Sequence, residues 1–315
     1  MKYRFLVLLG AVCYGILSTI VTKAYAKGYT LGEVVGSQLL IGFVLAWTLV
    51  LFMTWKGRWS GNVRTASSSA TAATKLSWRN RVILMIAGVP TAVTGLLYYQ
   101  SLRYIPNSLA ILLLFQFTWM GVLINSVEQR RRPNGIMLIT LTVLFGGTLL
   151  AAGILNQGLS EFNWKGVILG FMSAISYSLF ILFSGKAVPS MHPSYRSAWM
   201  VTGGMLFVFL LFPPSFLFNH ALLEGLLPFG VMLGLFGAFL PPVLFAIGVP
   251  HIGEGLTGIL GAAELPVAVM LSSIVLHEHV SLLQWAGVLL VLLAVAFPEL
   301  MKRTRWAGRK DTVSG

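Results

Sequence analysis

Long apolar runs separated by short polar breaks set the pattern of this chain. Ten segments are long enough for a helix across the membrane: 5–22, 34–55, 82–102, 104–127, 135–157, 166–185, 197–218, 225–250, 255–276 and 280–298. Only the ninth contains a charged residue, Glu264. A hydrocarbon layer of ~30 Å needs about 20 residues of helix. Backbone polar groups cannot stay unpaired in lipid, so runs of this length and apolarity are expected to be helices. Tyr104 follows Leu102 so closely that the third and fourth segments must form a tight helical hairpin.

Composition removes the soluble alternatives. The chain is 57% hydrophobic and 10% charged, against about 25% charged residues in soluble proteins. A formal net charge of +13 would suit nucleic acid if the basic residues shared a folded face. They do not. With the N-terminus cytoplasmic and the segments alternating, the inner side holds Lys2, Arg4, Lys56, Arg58, Arg64, Lys75, Arg79, Arg81, Arg130, Arg131, Arg132, Lys186, Arg196, Lys302, Arg303, Arg305, Arg309 and Lys310. The outer side keeps Lys23, Lys27, Arg103 and Lys165. This skew follows the positive-inside rule and predicts a multi-pass protein of the cell (inner) membrane with both termini cytoplasmic and no nucleic-acid partner. Residues 1–26 also have the look of a signal peptide, but their apolar run is longer than usual, and they are read as the first helix. Cys13, the single cysteine, lies in that helix and can form no internal disulfide. Residues 61–75 read as a flexible cytoplasmic loop.

The second half of the chain echoes the first. Tyr14 and Lys23 stand nine residues apart, as do Tyr177 and Lys186. A short turn from Arg103 has a counterpart after Pro250, and Val127-Glu128 is echoed by Leu276-His277-Glu278. A repeat of five helices crosses an odd number of times, so its second copy must be inverted, as in many secondary transporters. The expected architecture is an all-α integral membrane protein of ten transmembrane helices in two inverted five-helix repeats. These would be 1–157, with a cytoplasmic loop at 56–81, and 158–301, followed by a basic tail at 302–315.

Glu264-Leu265-Pro266 lies inside the ninth segment, Glu278 follows twelve residues after Pro266, and Gln284-Trp285-Ala286-Gly287-Val288 opens the tenth. With ten segments in a 5+5 arrangement, these residues make the chain resemble the drug/metabolite transporter superfamily, in particular its paired EamA-domain branch. That branch carries an L-E-P … G-E … Q … G stretch near the close of a repeat. This chain differs in its Glu-Leu-Pro order, in His277 where the family has Gly, in Gln116 where it has Pro, and in Gln38 where Arg is common. The resemblance implies a secondary transporter moving small metabolites, such as amino acids or amphipathic drugs, more often outward than inward. A small-molecule substrate and the lipid bilayer are the expected partners; the inverted repeat and the paired proline interruptions motivate alternating access, and a single acid at membrane depth makes an enzyme unexpected. A coupling proton is a candidate partner, and the oligomer is left open between monomer and homodimer.

Candidate chemistry centres on Glu264. A mid-span carboxylate costs roughly 2.5–3.5 kcal/mol on insertion scales, so it should face a cavity or a partner. It reads either as a substrate-cation or proton-coupling contact, or as a structural group bonded to a neighbouring helix or to backbone freed by Pro266. Pro90 and Pro241-Pro242 are expected to interrupt the third and eighth segments, the corresponding helices of the two halves. With Pro266 they are the hinge candidates, against a reading as packing kinks. Tyr98, Tyr99, Gln100, Gln116, Trp119, Tyr177 and Trp199 complete a candidate substrate pocket, although such rings also serve packing and membrane interfaces. Lys23 and Lys186 read as snorkelling anchors.

Gly253, Gly255 and Gly258 fit G-x-G-x-x-G, but no strand precedes them, and the run Gly255, Gly258, Gly261, Ala262 is expected to serve close helix packing. His277, Glu278 and His279 do not share a helix face, so no metal site is expected. No P-loop or H-E-x-x-H occurs, and neither a cofactor nor a catalytic residue is expected. Two further functions stay open: uptake or proton-coupled antiport of organic cations or drugs, and a non-transporting membrane scaffold.

Overall fold

The computed structural model describes residues 2–59, 77–105, 107–128, 130, 135–151, 163–277 and 280–294. The predicted loop at 61–75, Glu278, His279 and the tail at 302–315 lie outside the described residues. Every regular element among the described residues is helical. In chain order they are α1 (Lys2–Gly15), α2 (Leu17–Ala26), α3 (Leu31–Trp59), α4 (Trp78–Ser101), α5 (Asn107–Leu114), α6 (Phe117–Glu128), α7 (Gly135–Ala151), α8 (Trp164–Lys186) and α9 (Pro193–Leu211). Then come α10 (Leu227–Leu233), α11 (Leu240–Ile252), α12 (Glu254–Gly261), α13 (Glu264–Val275) and α14 (Leu282–Ala294). A 3₁₀ turn at Ser215–Leu217 and π turns at Leu222–Leu226 and Gly234–Phe239 join α9, α10 and α11.

Each predicted apolar segment falls on one helix or on a broken series of them. Among the described residues, six stretches are long and apolar enough to cross a membrane: Lys2–Ala26, Leu31–Trp55, Trp78–Ser101, Trp164–Lys186, Leu222–Ile252 and Leu256–Val275. The chain is an all-helical, multi-pass integral membrane protein. Its outer surface is apolar, with Phe218 82% and Leu210 81% exposed, as a lipid-facing surface requires.

Local sequence sets the helix ends. The backbone N–H and Oγ1 of Thr30 both donate to Glu33 Oε2, at 2.8 and 2.9 Å, and the Glu33 N–H donates to Thr30 Oγ1 at 3.4 Å. This capping box satisfies orphan donors at the start of α3. Asn163 accepts from the Lys165 N–H to open α8, and His192 accepts from the Ser194 N–H where Pro193 begins α9.

Small residues set how the helices pack. A Cβ on Gly88 of α4 would run into the backbone of Met200 on α9, and one on Gly203 of α9 into the backbone of Met85 on α4. Gly10 of α1 faces the Phe245 ring of α11. The expected packing of the glycines of α12 holds for Gly258, which faces the Thr118 carbonyl of α6, and for Gly261, which faces Phe117. Without a hydrophobic drive between helices in lipid, close backbone approach of this kind supplies the contact.

The helix interruptions match those expected only in part. Pro90 lies inside a continuous α4, whereas Pro241 and Pro242 stand where the π turn at Gly234–Phe239 gives way to α11, an interruption of the eighth segment. Further breaks fall at Ile16 between α1 and α2, at Phe115-Gln116 between α5 and α6, and at Ala262-Ala263 between α12 and α13. The last has a clear cause. Pro266 has no N–H for the Ala262 carbonyl, which accepts from the Leu265 N–H at 3.1 Å instead. At the α5–α6 break, Thr118 donates both its N–H and its Oγ1 to the Phe115 carbonyl. The breaks are neighbours in space: Gly15 approaches the Glu264 carbonyl, and Phe117 packs on Gly261.

Candidate functional site

A cavity lies where these breaks converge. Its wall is drawn from most of the bundle: Tyr14 of α1, Leu17 of α2, Gln38 of α3, Leu114 of α5, Tyr177 of α8, Gly237 of the second π turn and Glu264 of α13. The largest share comes from α4, with Thr91, Thr94, Gly95, Tyr98 and Tyr99. Thr91, Thr94, Gly95 and Tyr98 are spaced i, i+3, i+4 and i+7, which places them on one face of α4.

Part of this wall is tied down. Tyr99 Oη donates to Gln38 Oε1 at 3.1 Å, and Tyr25 Oη donates to the Tyr99 carbonyl at 3.3 Å. Gly237 makes room for the Gln38 amide, because a Cβ there would sit 2.5 Å from Nε2. The Pro90 carbonyl accepts from Thr94 Oγ1 and from Ser176 Oγ of α8, both at 2.8 Å, so the turn around the proline is held by hydroxyls.

Another part is not. Tyr14 Oη, Tyr177 Oη and Glu264 Oε2 are buried and have no hydrogen-bond partner. Each unpaired buried group of this kind costs about 1–3 kcal/mol. The two tyrosine rings are nevertheless well packed: Tyr14 meets Tyr177 edge-on at 5.6 Å, and Tyr177 meets Phe117 at 4.5 Å. Phe180 and Phe245 extend the cluster, 5.9 Å apart.

Of the residues singled out from sequence, Glu264, Tyr98, Tyr99 and Tyr177 come together in this cavity. Gln116 and Trp119 do not join it. Trp119 Nε1 donates to Gln116 Oε1 at 2.9 Å, and both line a separate space of about 660 Å³ against α7. Gln100 lies in a wider cleft of about 1,160 Å³ with Glu33 and Arg103, where its Nε2 donates to Tyr104 Oη at 3.4 Å. Trp199 packs edge-on to Trp47 at 5.3 Å beneath the Arg81 guanidinium. Pro241, Pro242 and Pro266 are buried in the bundle without lining the cavity. Sequence reasoning passed over Tyr14, Gln38, Thr91 and Thr94 as site residues, although the hydroxyl stripe of α4 is readable from its spacing.

Arg196 is a second departure. Counted by sequence among the charges of the inner side, it is 2% exposed. Its guanidinium donates to the Ser184 carbonyl in the last turn of α8 and to the Ala246 carbonyl of α11, the latter at 3.4 Å. Both acceptors lack an intrahelical donor. Ser184 is near its helix end, and the residue four beyond Ala246 is Pro250. Lys23 and Lys186 are exposed, as anchors should be. Among the described residues no group of three or more His, Cys, Asp or Glu could hold a metal ion.

Residues 164–298, from α8 onward, match the EamA-like transporter family. The matched stretch is 135 of the 315 residues of the chain. The chain is 24% identical over 224 residues to "Uncharacterized transporter sll1319" of Synechocystis sp.. That match covers 68% of this chain and 65% of the relative, just under two thirds of the relative's length. A solved crystal structure superposes on the chain with a TM-score of 0.71, over 96% of this chain and 99% of that one, at 14% identity. The likeness at that identity is one of fold.

Proposed function

We propose that the chain is a secondary transporter that moves small amphipathic metabolites, amino acids or related solutes, across the plasma membrane by alternating access, in the outward direction. The observation that carries this reading is the cavity at the helix breaks, with a buried carboxylate and two buried phenol hydroxyls left unpaired. Intramembrane ionisable groups that face a cavity mark solute or ion paths, and discontinuous helices in corresponding positions mark transporter binding sites. The breaks in α5–α6 and α12–α13 occupy corresponding places in the proposed halves, 1–157 and 158–301. They support two inverted five-helix repeats with ten crossings and both termini cytoplasmic. On this topology the cleft around Glu33, Gln100 and Arg103 opens to the exterior, and the Arg196 cluster closes the cytoplasmic side. Pro90, Pro241, Pro242 and Pro266 are the proposed hinges, and Glu264, Tyr98, Tyr99 and Tyr177 the proposed solute contacts.

Purified chain in liposomes is expected to give saturable solute flux; flux that rises linearly for every solute tried would end the carrier reading. A scaffold needs no hydrated cavity, which gives a second check. A Cβ on Gly95 has nothing within 4 Å, and the native Cys13 is buried. Gly95→Cys is therefore expected to react with a small membrane-impermeant thiol reagent, while the unsubstituted chain does not. Complete protection of Gly95→Cys would favour the scaffold.

A further inference from the structure

We infer that the solute of the central cavity carries a positively charged amine on an apolar or aromatic body, and that the Glu264 carboxylate seats the charge. The inference rests on the carrier reading above and names the class of solute for the same cavity. Glu264 is 9% exposed, and its buried Oε2 has no hydrogen-bond partner. An acceptor left dry and unpaired is costly, and a donor brought by a ligand removes that cost.

The remainder of the wall selects the sign of the charge. The described lining contains one acid and no Lys, Arg or His. Nothing in it neutralises Glu264, and nothing in it receives a carboxylate or phosphate on the solute. An anionic solute would meet the Glu264 charge across a dry cavity, and a neutral hydroxyl could donate to Oε2 but would leave the carboxylate charge uncompensated. A zwitterionic amino acid would gain one ion pair and leave its own carboxylate without a cation, which places simple amines ahead of amino acids.

Geometry completes the case. Tyr14 and Tyr177 stand edge-to-face at 5.6 Å, and both hydroxyl oxygens are unpartnered. An ammonium has three donors and no acceptor. One can go to the carboxylate and the others to phenol oxygens, while the ring faces attract the cation itself. Gly95, with open space beside it, and Leu17 and Leu114 leave room for the apolar body.

The test is a charge series on the full chain in detergent, read as thermal stabilisation and as binding by calorimetry. The probes are phenethylamine, 2-phenylethanol, phenylacetate and L-phenylalanine, which share one ring and differ in charge. Phenethylamine is expected to stabilise the chain in proportion to the logarithm of its concentration, with the other three weaker by roughly tenfold or more. Glu264→Gln is expected to erase that preference for the amine. Equal binding of the amine and the alcohol, preferential binding of the carboxylate or the amino acid, or binding of none would each overturn the inference. The series runs on the unmodified chain, so it decides between these outcomes even if Glu264→Gln fails to fold. Flux of the same probes in liposomes separates the two readings. Saturable flux of the alcohol or carboxylate without the amine overturns the amine inference and leaves the carrier intact. Amine binding lost in Glu264→Gln, with no saturable flux of any probe, upholds the site and ends the carrier.

Discussion

Replacing Arg196 with methionine is expected to destabilise the chain by about 2–5 kcal/mol, read as a lower thermal unfolding midpoint in detergent. The guanidinium is the donor for two carbonyls on different helices, Ser184 of α8 and Ala246 of α11. Methionine fills much of the volume and donates nothing, so both carbonyls lose their donor at about 1–3 kcal/mol each. The Ala246 part of this loss has its own control. Pro250→Ala supplies the N–H that the Ala246 carbonyl lacks within α11, so the cost of Arg196→Met should be smaller by about 1 kcal/mol in that background. An equal cost in both backgrounds would show that the contact to Ala246 carries no weight. Because α8, α9 and α11 meet at this residue, looser packing should also raise solute leak through liposomes.

The second large effect contrasts one substitution at two places on the same helix. Gly88→Ala is expected to cost about 1–3 kcal/mol, because its Cβ would meet the backbone of Met200, which cannot rotate away as a side chain can. Gly95→Ala, seven residues on, meets open space and is expected to gain about 0.5–1 kcal/mol from the lower chain entropy of alanine in a helix. Thermal unfolding of the two variants side by side decides it. Equal shifts would mean that α4 and α9 are not held at backbone distance.

The spacing of charges along the chain carries most of the fold. Segments free of charge over helix length become helices because the backbone has no other way to pair in lipid, and the lone Glu264 does lie in a cavity wall. Where helices stop was not readable. Ile16 and Phe115-Gln116 contain no proline, and their breaks depend on tertiary neighbours such as Gly15 against Glu264 and Phe117 against Gly261. Proline was an uneven guide: Pro90 is bridged by the hydroxyls of Thr94 and Ser176, Pro241 and Pro242 stand where a π turn gives way to α11, and Pro266 displaces its break by one turn. Polarity likewise marked candidate residues without saying which faced one another. Gln116 and Trp119 satisfy each other three residues apart, while Tyr14 and Tyr177, 163 positions apart in sequence, meet across the cavity. Arg196 looked like a loop charge because its two carbonyl partners leave no trace in a residue pattern.

The convergence of helix breaks at Ile16, Phe115-Gln116 and Ala262-Ala263 also bears on motion. A continuous membrane helix frays at its ends and protects its middle. Here the hydrogen-bonded ladder lapses between the ends of several neighbouring apolar segments at once. Deuterium should therefore enter the backbone first around Glu264, at the centre of the bundle, and only later along the unbroken lengths of α4 and α8.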